Sequence, residues 1–135
     1  MTTTFKTANH EFTLALNYTK ARQIRESLSL DFVDMAGMCQ VFARLDLDTD
    51  LLMKVLYAFV EPQCKAAGLD EAAFGEGFTD GEAFESARAA LAECAINFFS
   101  PRTREELRRA LEIQTAQLKE MLASKVEKMN TSTGG

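Results

Sequence analysis

The chain is 135 residues and 15.0 kDa, a length for one domain with at most a small appendage. Surface scaling gives about 7,000 Å² exposed when folded against about 22,000 Å² unfolded, so a core can form without disulfide or metal staples. With 47% hydrophobic residues, 20 acidic and 15 basic side chains and a net charge of -5, composition excludes intrinsic disorder and disfavours a general nucleic-acid or anionic-membrane binder.

No apolar run approaches a membrane span or the apolar region of a signal peptide, so the expectation is a soluble protein that is not exported by that route. Cys39, Cys64 and Cys94 are an odd number with no C-x-x-C spacing, which fits buried thiols in a reducing cytosol.

Phe5, Phe12, Leu14 and Leu16 alternate with polar or small neighbours, a half-buried strand pattern that predicts a β-hairpin over residues 3–17. Asn9 is expected to supply the positive φ of a tight turn. From Thr19 the period becomes helical, with Ala21, Ile24 and Leu28 on one face. A second helix follows Asp31 or Asp34 as N-cap and carries Met38, Val41, Phe42 and Leu45 at i, i+3, i+4, i+7.

Asp48 or Thr49 caps a third helix whose face is Leu52, Val55, Leu56 and Phe59, and Pro62 is expected to interrupt it. Gly68 reads as a helix stop, and residues 70–78 as a short helix or turn presenting Phe74 and Phe78. Thr79-Asp80-Gly81-Glu82 has capping-box spacing ahead of a stripe of Phe84, Ala87, Leu91, Ala95 and Phe98. Ser100-Pro101 opens a last helix to about Met129, and residues 130–135 read as a flexible tail. Such a helix is about 42 Å long against a globule about 37 Å across, so its last turns overhang the body.

The expected architecture is therefore mainly α (α+β). It is a single domain over residues 1–129, with a hairpin at 3–17, a helical body at 19–99 and a long C-terminal helix at 101–129. Charge is uneven along it: residues 31–99 carry 13 acidic and 4 basic side chains, while the two flanking segments are mildly basic. That acidic middle reads first as a solvated helical face and second as a dock for a basic partner.

Candidate chemical sites fall away on inspection. Asp46, Asp48 and Asp50 alternate as at the start of a calcium loop, but Leu51 stands where the loop needs glycine and Tyr57 where it needs a bidentate glutamate. A helix-capping cluster is the better reading. Gly75-Glu76-Gly77 lacks the third glycine and the lysine of a phosphate loop. His10 is the only histidine, which leaves zinc, di-iron and Ser-His-Asp sites poorly supported. No cofactor, metal or catalytic residue is expected. Arg102, Arg104, Arg108 and Arg109 read first as a solvent face, with Glu105 and Arg109 paired at i,i+4, and second as a binding patch.

Leu107 and Leu111 can finish the core, whereas Leu118, Met121, Leu122 and Met129 form an apolar stripe suited to a partner, either a client or a second copy. These four are the candidate partner-binding residues.

The order of features adds a resemblance. A hairpin with Phe5, Asn9, Glu11, Phe12, Leu14 and Leu16 leads into a basic helix ending near Ser29-Leu30-Asp31-Phe32. An acid-capped helix from Leu51-Leu52 to Phe59 follows, then the Phe74 turn and an alanine-rich helix closing on Asn97-Phe98-Phe99-Ser100-Pro101. Over about residues 5–101 this resembles the tail assembly chaperones of long-tailed bacteriophages and related gene transfer agents. The resemblance implies a non-enzymatic protein of the infected host's cytoplasm. It would bind the tape measure protein, help recruit tail tube subunits and be absent from the finished virion. Many members are also made in a longer, frameshifted form. The chain departs from the pattern in its Asn9-His10 turn, where many relatives carry glycine, and in its long last helix. A small acidic secretion-type chaperone and a ligand-binding helical module are the alternatives; the first calls for a larger antiparallel sheet and the second for an enclosed pocket.

Overall fold

The structure is a computed structural model that describes residues 3–133, with side chains described for residues 3–127. It is mainly α: a short N-terminal antiparallel hairpin precedes six helices, the last of them long. Strands β1 (Thr3–Lys6) and β2 (Glu11–Leu14) pair with Phe5 opposite Phe12 and Lys6 opposite Glu11. Helices α1 (Tyr18–Leu28), α2 (Met35–Leu47), α3 (Thr49–Ala66), α4 (Glu71–Glu76), α5 (Gly81–Asn97) and α6 (Pro101–Thr133) follow.

Short polar side chains set the helix starts. Asn17, Asp34, Asp48, Asp70 and Asp80 are the N-caps of α1 to α5, each accepting from the backbone N–H three residues on. Each such bond satisfies a donor with no partner inside the helix and stabilises it by about 1 kcal/mol. At α5 the cap is Asp80, one residue after the threonine of the expected capping box, and its carboxylate accepts from the Ala83 N–H. Four of the thirteen acids in the middle segment are thus helix caps.

One continuous cluster of buried apolar side chains draws on both strands and all six helices. The anticipated faces supply it: Ala21 and Ile24; Met38, Val41, Phe42 and Leu45; Leu52, Val55, Leu56 and Phe59; Ala87, Leu91 and Ala95; Leu107 and Leu111 are all buried. An aromatic chain fastens the hairpin to the helices. Phe12 meets the edge of Phe74 at 5.2 Å, Phe74 meets Phe78 at 5.3 Å, and Phe78 stacks on Phe84 at 5.0 Å. Gln63 guards the hairpin's outer side: its Oε1 accepts from the Thr13 N–H at 2.9 Å and its Nε2 donates to the Thr13 carbonyl at 2.7 Å. The amide takes the place of a third strand on an edge that would otherwise be open to pairing.

Three further local expectations are corrected. Asn9 does not take a positive φ; among the described residues the only non-glycine that does is Ser29, at the C-cap of α1. The hairpin closes where the Thr7 N–H and hydroxyl donate to the His10 carbonyl, and a connection of this length turns without a left-handed residue. Pro62 does not end its helix, because α3 runs on to Ala66. The proline removes the N–H that would bond to the Ala58 carbonyl, and the Lys20 ammonium donates to that oxygen instead at 3.4 Å. The real stop is Gly68 at φ 75°: its N–H donates to the Lys65 carbonyl and the Leu69 N–H to that of Cys64, the paired bonds of a Schellman end. Third, α6 continues through residues 130–133, where a tail is expected.

Cys64 and Cys94 are buried and Cys39 is half-buried, all three as free thiols. Burial pushes the Cys94 thiol up to about 11, with a backbone hydrogen bond at Leu16 offsetting part of that effect. It is therefore a small core side chain, protonated at neutral pH.

Pro62 is exposed, so replacing it forfeits little packing. Pro62→Ala restores an intrahelical donor and frees more of the unfolded chain, two opposing effects that leave a net gain of about 1–2 kcal/mol. A urea midpoint that is unchanged or lower would show that the Lys20 contact already compensates fully.

Candidate partner-binding site

The C-terminal helix is anchored over its first half. Leu107 and Leu111 are buried, Arg104 donates from Nε to the Phe99 carbonyl at 2.7 Å and from a terminal nitrogen to the Asn97 carbonyl at 3.1 Å, and Arg108 is ion-paired with Glu93 on α5. Arg104 thus caps the carbonyl end of α5, where a cation complements both the unpaired oxygens and the helix dipole. Two of the four arginines expected on a solvent face are in this way fastening α6 to α5. Farther along, Gln114 Nε2 donates to the Cys39 carbonyl of α2 at 2.9 Å.

Arg88 on α5 is the last anchor. Its guanidinium makes a bidentate pair with Asp46 at 2.6 and 3.1 Å, lies 5.6 Å from the centroid of the Phe42 ring, and reaches the Thr115 hydroxyl of α6 at 3.5 Å. It therefore joins α2, α5 and α6. Asp48 caps α3 through the Leu51 N–H, so two of the three carboxylates of the calcium-like run have structural partners.

From Ile113 onward α6 carries large apolar residues in solvent. Of the six large apolar residues exposed among the described residues, Ile113, Met121, Leu122 and Val126 lie on this helix. At 33 residues it is about 50 Å long. The chain's accessible surface is 8452 Å², well above the about 7,000 Å² of a compact monomer of this mass. Residues 119–127 of α6, all exposed, contribute to that excess.

An open groove of about 640 Å³ lies at the base of the overhang, walled by α5 on one side and α6 on the other, with the junction of α2 and α3 beneath. Leu45, Leu52, Phe84, Ala89, Leu118 and Leu122 give it an apolar lining. A second opening of about 440 Å³ shares Arg88, Ala89, Thr115 and Lys119 with it and continues along the seam between α5 and α6 toward Ile96 and Leu111.

Of the candidate residues, the fold brings Leu118 and Leu122 into the groove. Met121 lies 46% exposed on the same turns without lining it. The Met129 side chain lies outside the described residues. Phe84, Arg88 and the Leu45–Leu52 floor were not anticipated as parts of one site. A signal for Arg88 exists: it is the only charged residue between Glu85 and Glu93 in an alanine-rich run, next to the buried stripe, and a cation there needs an acid on a facing element.

Among the described residues no cluster of three metal-ligating side chains occurs, and no helix is long and apolar enough to cross a membrane. Comparison with protein-family models, with curated proteins and with solved structures gives no match to this chain.

Leu118→Asp places a charge in the groove while leaving Leu107 and Leu111 in the core. It is expected to weaken partner binding or self-association and to lower stability by only about 1 kcal/mol, since Leu118 is half-buried. Thermal unfolding and a binding assay on the same preparation check this; unfolding of the monomer, with binding lost only in proportion, would return Leu118 to the domain's own core.

Proposed function

We propose that the protein is a tail assembly chaperone that binds the helical, aggregation-prone tape measure protein of a long-tailed phage or gene transfer agent and helps bring tail tube subunits onto it, without catalysis of its own. The carrying observation is the second half of α6, which sets Met121, Leu122 and Val126 in solvent beside a groove with helical walls. Exposed apolar area of this kind marks a protein–protein surface. At about 25 cal/mol per Å² its burial against a client is a favourable term in association. The net charge of -5 keeps such a surface soluble while it waits.

The order of hairpin, basic helix, acid-capped helix, phenylalanine turn and alanine-rich helix supports the same reading. Against a secretion-type chaperone stands the sheet, which has two strands among the described residues. Against a ligand-binding module stand the open groove and the mutual satisfaction of Arg88 and Asp46, its most buried polar groups.

Co-expression with a long helical protein encoded immediately downstream is the test. A soluble complex of the two is the expected result. If that client remains equally insoluble with and without this chain, the proposal is wrong.

A further inference from the structure

We infer that the groove between α5 and α6 seats one amphipathic helix of a protein partner, and that this helix carries lysine or arginine along the edge of its apolar stripe. The inference rests on the client-binding reading and names the kind of segment recognised.

Shape selects a helix. The groove is walled and floored by α2, α3, α5 and α6, so it presents no open strand edge for an extended peptide to join. Helical walls offer ridges of side chains between which the ridges of another helix interdigitate. Its floor is apolar, and the Arg88–Asp46 pair beneath spends its hydrogen bonds internally, leaving apolar contact as the main source of affinity.

Charge selects the flank. With Asp46 and Arg88 neutralising one another, the remaining charged lining residues are Glu82 and Glu85 on the α5 rim and Lys119 on the α6 side. Both glutamates are exposed, and the Asp80 carboxylate that caps α5 lies two residues before Glu82. A helix lying against this rim meets negative potential along that edge, which favours and orients basic side chains there.

The same geometry disfavours a second copy as occupant. On α6 the stripe of Leu118, Met121 and Leu122 continues at i+7 with Lys125, so a second copy of this segment would bring an ammonium onto the apolar floor.

The test uses the full chain and a fluorescently labelled leucine–lysine amphipathic peptide of about 18 residues, about 27 Å as a helix, read by anisotropy. Saturable binding is expected, with methyl shifts in NMR spectra centred on Ala89, Leu118 and Leu122. The double variant Glu82→Lys/Glu85→Lys should weaken it by about tenfold or more, and a leucine–glutamate peptide should not bind. Glu71→Lys/Glu76→Lys makes the same change of net charge at exposed positions on α4, outside the groove, and should leave binding nearly intact. Equal weakening by both double variants, equal binding of the acidic peptide, or shifts centred elsewhere would overturn the inference. So would a dimer of the unliganded chain that Leu122→Glu dissociates, which would put a second copy in the groove. Peptide binding together with a client that stays insoluble would overturn the chaperone reading and leave the groove assignment standing. Loss of the peptide site with a client still held soluble would do the reverse.

Discussion

Arg88 is the point at which the body and the long helix are held together. Its guanidinium is bonded on one side to Asp46 at the end of α2, faces the Phe42 ring, and touches Thr115 on α6. A planar cation with several fixed donors suits such a junction, because it can satisfy a carboxylate bidentately and still present a face to an aromatic ring. Both partners are largely withdrawn from solvent, so removal of either would leave the other desolvated and unpaired, a larger loss than the pair's own net contribution. Before this node α6 is held by the burial of Leu107 and Leu111 and by arginine contacts to α5, whereas residues 119–127 beyond it are exposed.

That division gives the helix two tasks. From Pro101 to Thr115 it completes the core, with Leu107 and Leu111 beneath and Arg104 and Arg108 at the sides. From Leu118 onward it contributes one wall of a groove and then stands in solvent with apolar residues showing. An isolated helical stretch of this length is marginal in water, and most helical stability in proteins comes from packing of one face. The overhang, exposed along residues 119–127, therefore gains little stability from packing, and a partner that covers its apolar stripe would stabilise it in the act of binding.

Much of this was legible in the chain. The i, i+3, i+4 spacing of Met38, Val41, Phe42 and Leu45 and of Leu52, Val55, Leu56 and Phe59 located two core helices and their buried faces, because few other patterns place that many apolar groups on one side. Where the reading failed, contacts that residue spacing does not encode had intervened. Pro62 reads as a break because it removes a backbone donor, yet α3 runs on to Ala66 and Lys20, 42 positions earlier, donates to the Ala58 carbonyl. Asp80 stands as the cap where Thr79 is expected, since either side chain could reach a free amide. The candidate site was half visible: the stripe containing Leu118 and Leu122 follows from helical periodicity, but its facing wall at Phe84 and its floor at Leu45 and Leu52 come from elements that only tertiary packing brings together.

α6 is one continuous helix with two energetic halves, and in the proposed function a partner completes the second. Amide hydrogen exchange of the purified chain, alone and with a co-purified client, measures this directly, since exchange reports the free energy of local opening along a helix. The account predicts protection near the global value from about Leu107 to Thr115, much faster exchange over residues 118–127 in the chain alone, and slowing in the complex confined to that stretch and to the facing residues 81–89 of α5. Uniform protection along α6 in the monomeric chain, unchanged by the client, would contradict it.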